Sequence, residues 1–237
     1  MSEQQNFWNN WVSQSQDWEN TQDNSRRGAY VLKALEEVAF QGINILDIGC
    51  GSGWLALQLT KFGNVTAVDL ASEVMDQLKQ VHQQVAWIGG DFLSLELPQS
   101  HYDFAVSLET IAHVPDQMAF ANRMARLLRP GGTLVLTTQN EYVWRNTSWL
   151  QPPKPGQLRN WPSRERLIEL FSPWFSIHGI TTCAPGGNRG VPGLVSNRLS
   201  TIAGNILQGK KRWIEKREQW GFGRSLVLVG TRNDRAS

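Results

Sequence analysis

Short apolar runs alternate with amphipathic segments through the middle of the chain. Five runs of β-branched and aliphatic residues have the length of buried strands; the first begins at Ile43, and the others occupy 64–70, 84–88, 102–107 and 133–138. Between several of these runs, apolar residues recur at three- and four-residue steps, which is typical of amphipathic helices. Strands that alternate with helices predict parallel βαβ units, and therefore an α/β fold with a doubly wound, Rossmann-like sheet.

The segment before this core has a different composition. Residues 7–24 are mostly Trp, Asn, Gln, Ser and acids without aliphatic periodicity. We expect irregular structure there, ordered only where its aromatic rings dock on other parts of the chain. Residues 26–40 have one apolar face and predict a helix that leads into the first strand.

The pattern also changes after residue 138. The proline-rich residues 151–156 predict a rigid loop, and Ser163 is a plausible N-cap, like Ser72 earlier in the chain. Two late strands are predicted at 175–182 and 225–231. The insertion between them is predicted to contain one helix over 195–220 and to act as a lid or binding element.

Length, composition and charge exclude several classes of protein. A chain of 237 residues with 41% hydrophobic residues suits one globular domain, and a formal charge of +2 is no argument for nucleic acid or membrane partners. The N-terminus lacks the features of a secretory signal, and no apolar stretch is long enough to span a membrane, so we expect a cytoplasmic protein. Its two cysteines, Cys50 and Cys183, are expected to be free thiols.

The first predicted strand runs into a glycine-rich turn, LDIGCGSG, from Leu46 to Gly53. Glycines let the backbone adopt positive φ and let a ligand approach closely, but such a turn does not by itself identify the ligand. A dinucleotide-binding turn has a third glycine where this chain has Trp54, and no Walker Gly-Lys-Ser/Thr sequence follows. Asp47 would repel a pyrophosphate and attract an ammonium or sulfonium group. The turn therefore favours a cationic ligand without phosphate.

Acidic residues also end the next two predicted strands. Asp69 stands where an acid accepts hydrogen bonds from ribose hydroxyls, and Asp91 can accept one from an exocyclic amine. Leu70 and Phe92, directly after them, can cover a purine. An adenosine with a positively charged, amino-acid-bearing tail satisfies all of these groups, which predicts S-adenosylmethionine as the ligand.

Five motifs occur in a fixed order between Leu46 and Leu136: LDIGCGSG, VDL, GDF, YDFAVSLETIAHVPD and LLRPGGTLVL. Together they resemble the class I methyltransferases that use S-adenosylmethionine, in the small-molecule branch similar to the ubiquinone and menaquinone methyltransferases. The resemblance implies a seven-stranded, mostly parallel sheet with an antiparallel last strand, and lid elements from the N- and C-terminal parts of the chain.

The resemblance also implies a division of the chain and a set of cofactor contacts. A single methyltransferase domain over 1–237 would comprise a cap segment and helix (1–40), a cofactor-binding core (43–138), and a substrate-side insertion with the last two strands (139–232). Its cofactor-binding residues would be Asp47, Gly49, Cys50 and Gly51 for the methionine moiety, Asp69 and Leu70 for the ribose, Asp91 and Phe92 for the adenine, and Leu108 at the mouth.

Two residues after the fourth strand are candidates for catalysis. Methyl transfer needs a base only if the acceptor arrives protonated, and the ordinary pKa of histidine suits His113 for that role. Alternatively, His113 only caps or packs against the next helix. Glu109 is the competing candidate, and it could instead merely close the pocket. No three histidines or acids have metal-ligand spacing, so no metal is expected.

These features predict an enzyme that methylates an oxygen or nitrogen atom of a small, aromatic or lipophilic molecule. The nine tryptophans outside the core could wall a cavity for it, or could be plain hydrophobic cover. Two alternatives stay open, an RNA methyltransferase and a non-catalytic protein that binds S-adenosylmethionine. The basic, aromatic segment 210–217 could contact RNA or an anionic membrane, but we favour a solvated helix face, and nucleic acid is not an expected partner. The oligomeric state is not predicted.

Overall fold

The computed structural model describes residues 2–14, 21–38 and 42–234. Seven strands form one sheet in the order β3-β2-β1-β4-β5-β7-β6, in which β1 to β5 are parallel and β7 runs antiparallel to both of its neighbours. The strands are β1 (Ile43–Ile48), β2 (Gly63–Asp69), β3 (Val85–Gly89), β4 (Tyr102–Leu108), β5 (Leu128–Gln139), β6 (Phe175–Pro185) and β7 (Gly223–Arg232). The predicted α/β fold with a mostly parallel seven-stranded sheet is confirmed.

Ten α-helices lie within the described ranges. They are α1 (Glu3–Gln14), α2 (Gln22–Glu37), α3 (Trp54–Leu59), α4 (Ser72–Val81), α5 (Gln117–Leu127), α6 (Glu141–Arg145), α7 (Arg164–Phe171), α8 (Gly190–Ser196), α9 (Arg198–Gln208) and α10 (Lys210–Gln219). None of these helices is long and apolar enough to cross a membrane.

Helices cover both faces of the sheet because successive strand residues point to opposite sides. Leu46 belongs to an apolar cluster that includes Phe120 of α5 and Leu170 of α7. Its neighbour Ile45 belongs to a second cluster, built with α2, α3 and α4, which includes Leu55. The central strands β1 and β4 are therefore buried on both faces, and only their carboxyl ends are available to a ligand.

Of the two predicted N-caps, Ser163 agrees with the structure, and Asp116 caps α5 in the same way. The Asp116 carboxylate accepts a hydrogen bond from the Ala119 N–H, and the Ser163 hydroxyl accepts one from the Arg166 N–H. The prediction that Ser72 is an N-cap is wrong, because Ala71 precedes the first helical residue. The Ser72 hydroxyl instead accepts a hydrogen bond from Gln5 Nε2, at 2.9 Å.

The prediction of irregular structure over 7–24 is wrong for the residues that the structure describes. Residues 7–14 belong to α1, and α2 begins at Gln22, where the Thr21 hydroxyl accepts from the Asn24 N–H. Trp8 and Val12 of α1 pack against the second apolar cluster, so a helix with little aliphatic content is stabilised by tertiary contact. Residues 15–20 and the predicted helix end at 39–40 lie outside the described residues.

The single helix predicted over 195–220 is also wrong. The segment forms the end of α8 and then α9 and α10, which are separated at Asn197 and Gly209. The Asn197 carboxamide caps α9 by accepting from the Ser200 N–H, and Gly209 has a φ of +79°. The predicted fifth strand starts earlier than expected, since β5 includes the Pro130-Gly131-Gly132 sequence that follows α5.

Candidate active site

One cavity of about 1000 Å³ lies at the carboxyl ends of the central strands. All eleven residues proposed from the sequence line it: Asp47, Gly49, Cys50, Gly51, Asp69, Leu70, Asp91, Phe92, Leu108, Glu109 and His113. They come together because parallel strands end at the same edge of the sheet, where doubly wound folds bind ligands. The structure therefore shows their proximity, and their individual contacts decide what each can do.

The glycine turn after β1 is held against the end of β2. Gly49 and Gly51 both have positive φ, +74° and +56°, and the Gly51 N–H donates to Asp69 Oδ2 at 2.8 Å. A β-carbon at Gly49 would overlap the Thr110 side chain, whereas one at Gly51 would meet open space. The turn therefore presents bare backbone to the cavity at Gly51, and its position is set by Asp69.

Asp47 is a buried carboxyl group with an unsatisfied oxygen. It is 2% exposed, and its Oδ2 atom has no hydrogen-bond partner among the residues that the structure describes. Burial, and then the charge of Asp69, raise the pKa of Asp47 to about 7. A cation placed beside Oδ2 would supply the missing partner and favour the charged form. The site therefore fits the ammonium group of a cationic amino-acid tail.

The Asp69 carboxylate is partly used by the protein itself. Its Oδ1 atom accepts from the Ala71 N–H and its Oδ2 atom from the Gly51 N–H, both at 2.8 Å. Burial raises the pKa of Asp69, and these backbone donors oppose that rise. Each carboxylate oxygen can accept a second hydrogen bond, so the group is oriented and can still accept from a ligand hydroxyl.

The end of β3 carries the groups proposed for the adenine. Asp91 is exposed, and its Oδ1 atom accepts from the Leu93 N–H at 3.0 Å. The Phe92 ring is packed edge-on against Phe120 with centroids 5.1 Å apart, and the Arg123 guanidinium lies 5.4 Å from its centroid. Phe92 is only 8% exposed, so a ligand can reach only a small part of its surface.

His113 ends a short 3₁₀ helix, Ile111–His113, that follows β4. Its Nδ1 atom lies 2.6 Å from the Leu158 carbonyl oxygen, which can only accept, so Nδ1 carries the proton and the Nε2 lone pair is available. Burial lowers the pKa of His113 below its ordinary value of 6.5. The Trp8 ring of α1 contributes to this burial, with its centroid 4.8 Å from the imidazole. His113 is therefore a neutral imidazole at pH 7.

Glu109 is held by its neighbours. Its Oε1 atom accepts from the Thr137 hydroxyl at 2.9 Å and lies 3.3 Å from Nε of Arg27, which is itself buried. Its φ of +60° is unfavourable for a residue with a β-carbon, a strain that is common at functional sites. These contacts hold the Glu109 carboxyl group against Arg27 and Thr137, and they leave His113 as the better candidate for a base.

Aromatic residues from the flanking segments form a large part of the cavity wall. Trp8 and Trp11 come from α1, while Trp144, Trp149 and Trp161 come from the chain after β5. The Trp144 and Trp149 rings are nearly perpendicular, with centroids 5.5 Å apart. The predicted aromatic wall is therefore present. Trp174, Trp213 and Trp220 lie outside the cavity lining, and Trp18 lies outside the described residues.

Several contacts of the site have no clear signal in the sequence. Neither Arg27 nor the Leu158 carbonyl belongs to a recognisable motif, and Arg159 lines the cavity from an irregular loop. The basic segment 210–217 forms most of α10 and does not line the cavity. Within it Trp213 and Arg217 are buried, so the segment is only partly a solvated face. No group of three metal-binding side chains occurs among the residues that the structure describes.

Comparison with known proteins identifies relatives of this chain. The family model described as "Methyltransferase domain" matches residues 21–180. An uncharacterized methyltransferase of Mycobacterium tuberculosis strain H37Rv is 30% identical over 145 residues, which cover 54% of this chain and 74% of the relative. A ubiquinone biosynthesis O-methyltransferase of Xanthomonas campestris pv. campestris is 38% identical over 111 residues, which cover 44% of this chain and 46% of the relative. The chain thus aligns with less than half of that second relative.

Solved structures show the same fold at low identity. The N-methyltransferase NodS of Bradyrhizobium japonicum WM9, in complex with S-adenosyl-L-homocysteine, has a TM-score of 0.66 and 15% identity, covering 98% of this chain and 99% of that one. A chain of the complex between the Haloferax volcanii Trm112 methyltransferase activator and a methyltransferase has a TM-score of 0.68 and 17% identity, covering 95% and 97%.

Proposed function

Because the chain belongs to the S-adenosylmethionine-dependent methyltransferases, whose domain model it matches over residues 21–180, we propose that it methylates an oxygen or nitrogen atom of a small, aromatic or lipophilic molecule. The observation that carries this proposal is the shape of the cavity. At its sheet end, Asp47 Oδ2 is buried and has no hydrogen-bond partner among the described residues, and elsewhere five tryptophans from the flanking segments line it. The first suits the cofactor, and the second suits an apolar, planar acceptor.

S-Adenosylmethionine supplies a methyl group already activated by its sulfonium sulfur. In our proposal Asp47 pairs with its ammonium group, and the backbone from Gly49 to Gly51 holds the methionine moiety. Asp69 and Leu70 bind the ribose. The adenine lies against Asp91 and Phe92, and Leu108 borders the reacting carbon.

The protein's part in the chemistry is to position the acceptor, exclude water and take a proton. His113 Nε2 accepts the proton of the acceptor's hydroxyl or amine as the new bond to carbon forms and the carbon–sulfur bond breaks. The Leu158 carbonyl keeps the imidazole in the tautomer that can do this. Positioning can supply effective molarities of roughly 10⁵ to 10⁸ M, so a base contributes only part of the acceleration.

Calorimetric titration with S-adenosylhomocysteine tests the cofactor site. We expect saturable binding that weakens about tenfold or more in Asp69→Asn, because a charged hydrogen-bond acceptor is lost. Asp76→Asn, which changes an exposed acid of α4 outside the cavity, is the matched control and should bind like the wild type. Absence of binding to the wild-type protein would refute the proposal.

Two other functions predict different results in the same preparation. A non-catalytic binding protein would bind S-adenosylhomocysteine, but would transfer no label from the cofactor to a small-molecule extract. An RNA methyltransferase would bind RNA with an affinity that depends strongly on salt, and replacement of Lys210 and Lys211 would weaken that binding.

The name of the Xanthomonas relative, an O-methyltransferase of ubiquinone biosynthesis, supports the small-molecule proposal. A single domain and a cytoplasmic location remain predictions.

A further inference from the structure

The cavity is lined by three arginines, and two of them have a carboxylate partner. Arg27 Nε lies 3.3 Å from Glu109 Oε1, and Arg224 Nη1 lies 2.6 Å from Asp23 Oδ2. Arg159 forms no ion pair with any residue that the structure describes. Arg159 is therefore the one arginine of the described cavity wall that has no carboxylate partner among the described residues.

Neutral groups hold the Arg159 guanidinium in place. Nη1 donates to the Gln151 carbonyl at 2.6 Å, and Nη2 lies 3.4 Å from Gln157 Oε1. The group also lies over the Trp161 ring, 5.2 Å from its centroid. A guanidinium has five N–H donors, so these contacts leave three for a ligand. A partly desolvated cation with free donors next to an aromatic wall is a suitable place for an anion.

Arg159 belongs to the loop that orients the proposed base, His113. The carbonyl of the preceding residue, Leu158, accepts a hydrogen bond from His113 Nδ1–H, so the loop that carries the arginine also orients the imidazole. The charge of Arg159 is close enough to help lower the pKa of His113. In contrast, the buried acid Asp47 and the exposed acid Asp91 lie at the sheet end of the cavity. A bound molecule would therefore meet acids at the cofactor end. Beside His113 it would meet the Arg159 guanidinium and the Glu109 carboxyl group, which Arg27 already pairs.

We propose that Arg159 is the anion-binding subsite of the acceptor site, and that the acceptor is an aromatic acid: a planar ring with a carboxylate and a separate hydroxyl or amino group. The carboxylate pairs with Arg159, the ring lies against Trp161 and Trp144, and the group to be methylated faces His113 Nε2. This inference rests on the proposed function and names the class of its acceptor. The competing interpretation is that Arg159 only braces the loop between Gln151 and Trp161.

Binding measurements separate the two interpretations. The probes are 4-hydroxybenzoate and its methyl ester, titrated by calorimetry into the protein saturated with S-adenosylhomocysteine. We expect the acid to bind wild-type protein about tenfold or more tightly than the ester, because only the acid can form a charge-assisted pair with Arg159. Arg159→Gln should bind the acid as weakly as the ester and leave ester binding unchanged. Arg159→Lys should keep part of the preference, because it retains the charge without the bidentate geometry.

Arg166→Gln is the matched control, since Arg166 is an exposed arginine of α7 that pairs with Glu169 outside this cavity. It should retain the preference for the acid. Equal binding of acid and ester to the wild type, or no binding of the acid, would overturn the inference. So would an equal loss for both probes in Arg159→Gln, which is the result expected of a loop brace. The S-adenosylhomocysteine titration that precedes each experiment shows separately whether the cofactor site, and with it the proposed function, holds.

Discussion

The tautomer of His113 makes a prediction about pH at the scale of one residue. Only the neutral imidazole can accept a proton at Nε2, and burial places its pKa below 6.5. We therefore expect kcat to rise with pH through a single ionisation below 6.5 and to be constant from pH 7 to 8.5. Replacement by Asn should lower kcat by about 10²-fold or more and abolish this ionisation. The measurement is the pH profile of kcat for the acceptor identified from extract.

Glu109→Gln distinguishes the two candidate bases. Glu109 is paired with Arg27 and bonded to Thr137. Its replacement should lower the melting temperature, because the buried Arg27 guanidinium keeps its hydrogen bonds to Ser225 and Asn24 but loses its carboxylate. The ionisation in the pH profile should persist. If Glu109→Gln removed the ionisation and His113→Asn did not, the assignment of the base would be reversed.

Residues at strand ends were predictable, and residues that hold them were not. Asp47, Asp69 and Asp91 follow apolar runs, and the geometry of parallel strands then places them at one edge of the sheet. The orientation of His113 depends on the carbonyl of Leu158, 45 residues away, and any residue can supply a carbonyl. The pairing of Arg27 with Glu109 likewise depends on how α2 packs across the end of β4. Neither contact leaves a pattern in the sequence.

At the scale of elements, α1 contributes to the catalytic environment. Gln4 Nε2 donates to the His113 carbonyl at 2.6 Å, and Trp8 covers the imidazole. Since burial is the main cause that lowers the pKa of His113, removal of this cover should raise it. We expect Trp8→Ala to move the midpoint of the kcat profile upward toward 6.5 and to raise the KM of the acceptor.

The control for α1 is Trp220→Ala, which removes a tryptophan that is 53% exposed and lies outside the cavity. Its pH profile should coincide with that of the wild type. An unchanged midpoint in Trp8→Ala would show that α1 does not control solvent access to His113, even if acceptor binding were weakened.

The sequence predicted correctly those elements in which the apolar residues of the local pattern are the residues that the fold buries. The five parallel strands correspond to short apolar runs, and four of them lie in the interior of the sheet, where apolar residues are needed on both faces. Helix α1 has few aliphatic residues, and its helical structure depends on the cluster that Trp8 and Val12 contact. The insertion shows the opposite error, because an apolar periodicity over 195–220 continues across Asn197 and Gly209, where the chain caps one helix and ends another. Local breakers therefore override the periodicity in the insertion, whereas tertiary contact overrides a weak local pattern at α1.

For the whole molecule, the buried Asp47 couples stability to pH and to the cofactor. Its carboxyl has a pKa of 3.8 in the unfolded chain and about 7 in the folded protein. Between these values the folded protein keeps a proton that the unfolded chain has released, so stability falls as pH rises from 4 to 7 and stays low above it. The cost at pH 8 is at most about 4 kcal/mol, since each pKa unit corresponds to about 1.4 kcal/mol.

A cationic cofactor should relieve this cost. Without ligand, Asp47→Asn should therefore melt at a higher temperature than the wild type at pH 8, and the difference should shrink at pH 5. S-Adenosylhomocysteine at 100 times its Kd stabilises the wild type by about 2.7 kcal/mol. At a fixed concentration of this ligand, the increase that it causes in the melting temperature of the wild type should be larger at pH 8 than at pH 5. In Asp47→Asn that increase should be smaller and nearly independent of pH, because its amide does not titrate. Calorimetric melting of both proteins at the two pH values, with and without ligand, checks this prediction. If the ligand raised the melting temperature of the wild type equally at both pH values, Asp47 would not be the partner of the ammonium group.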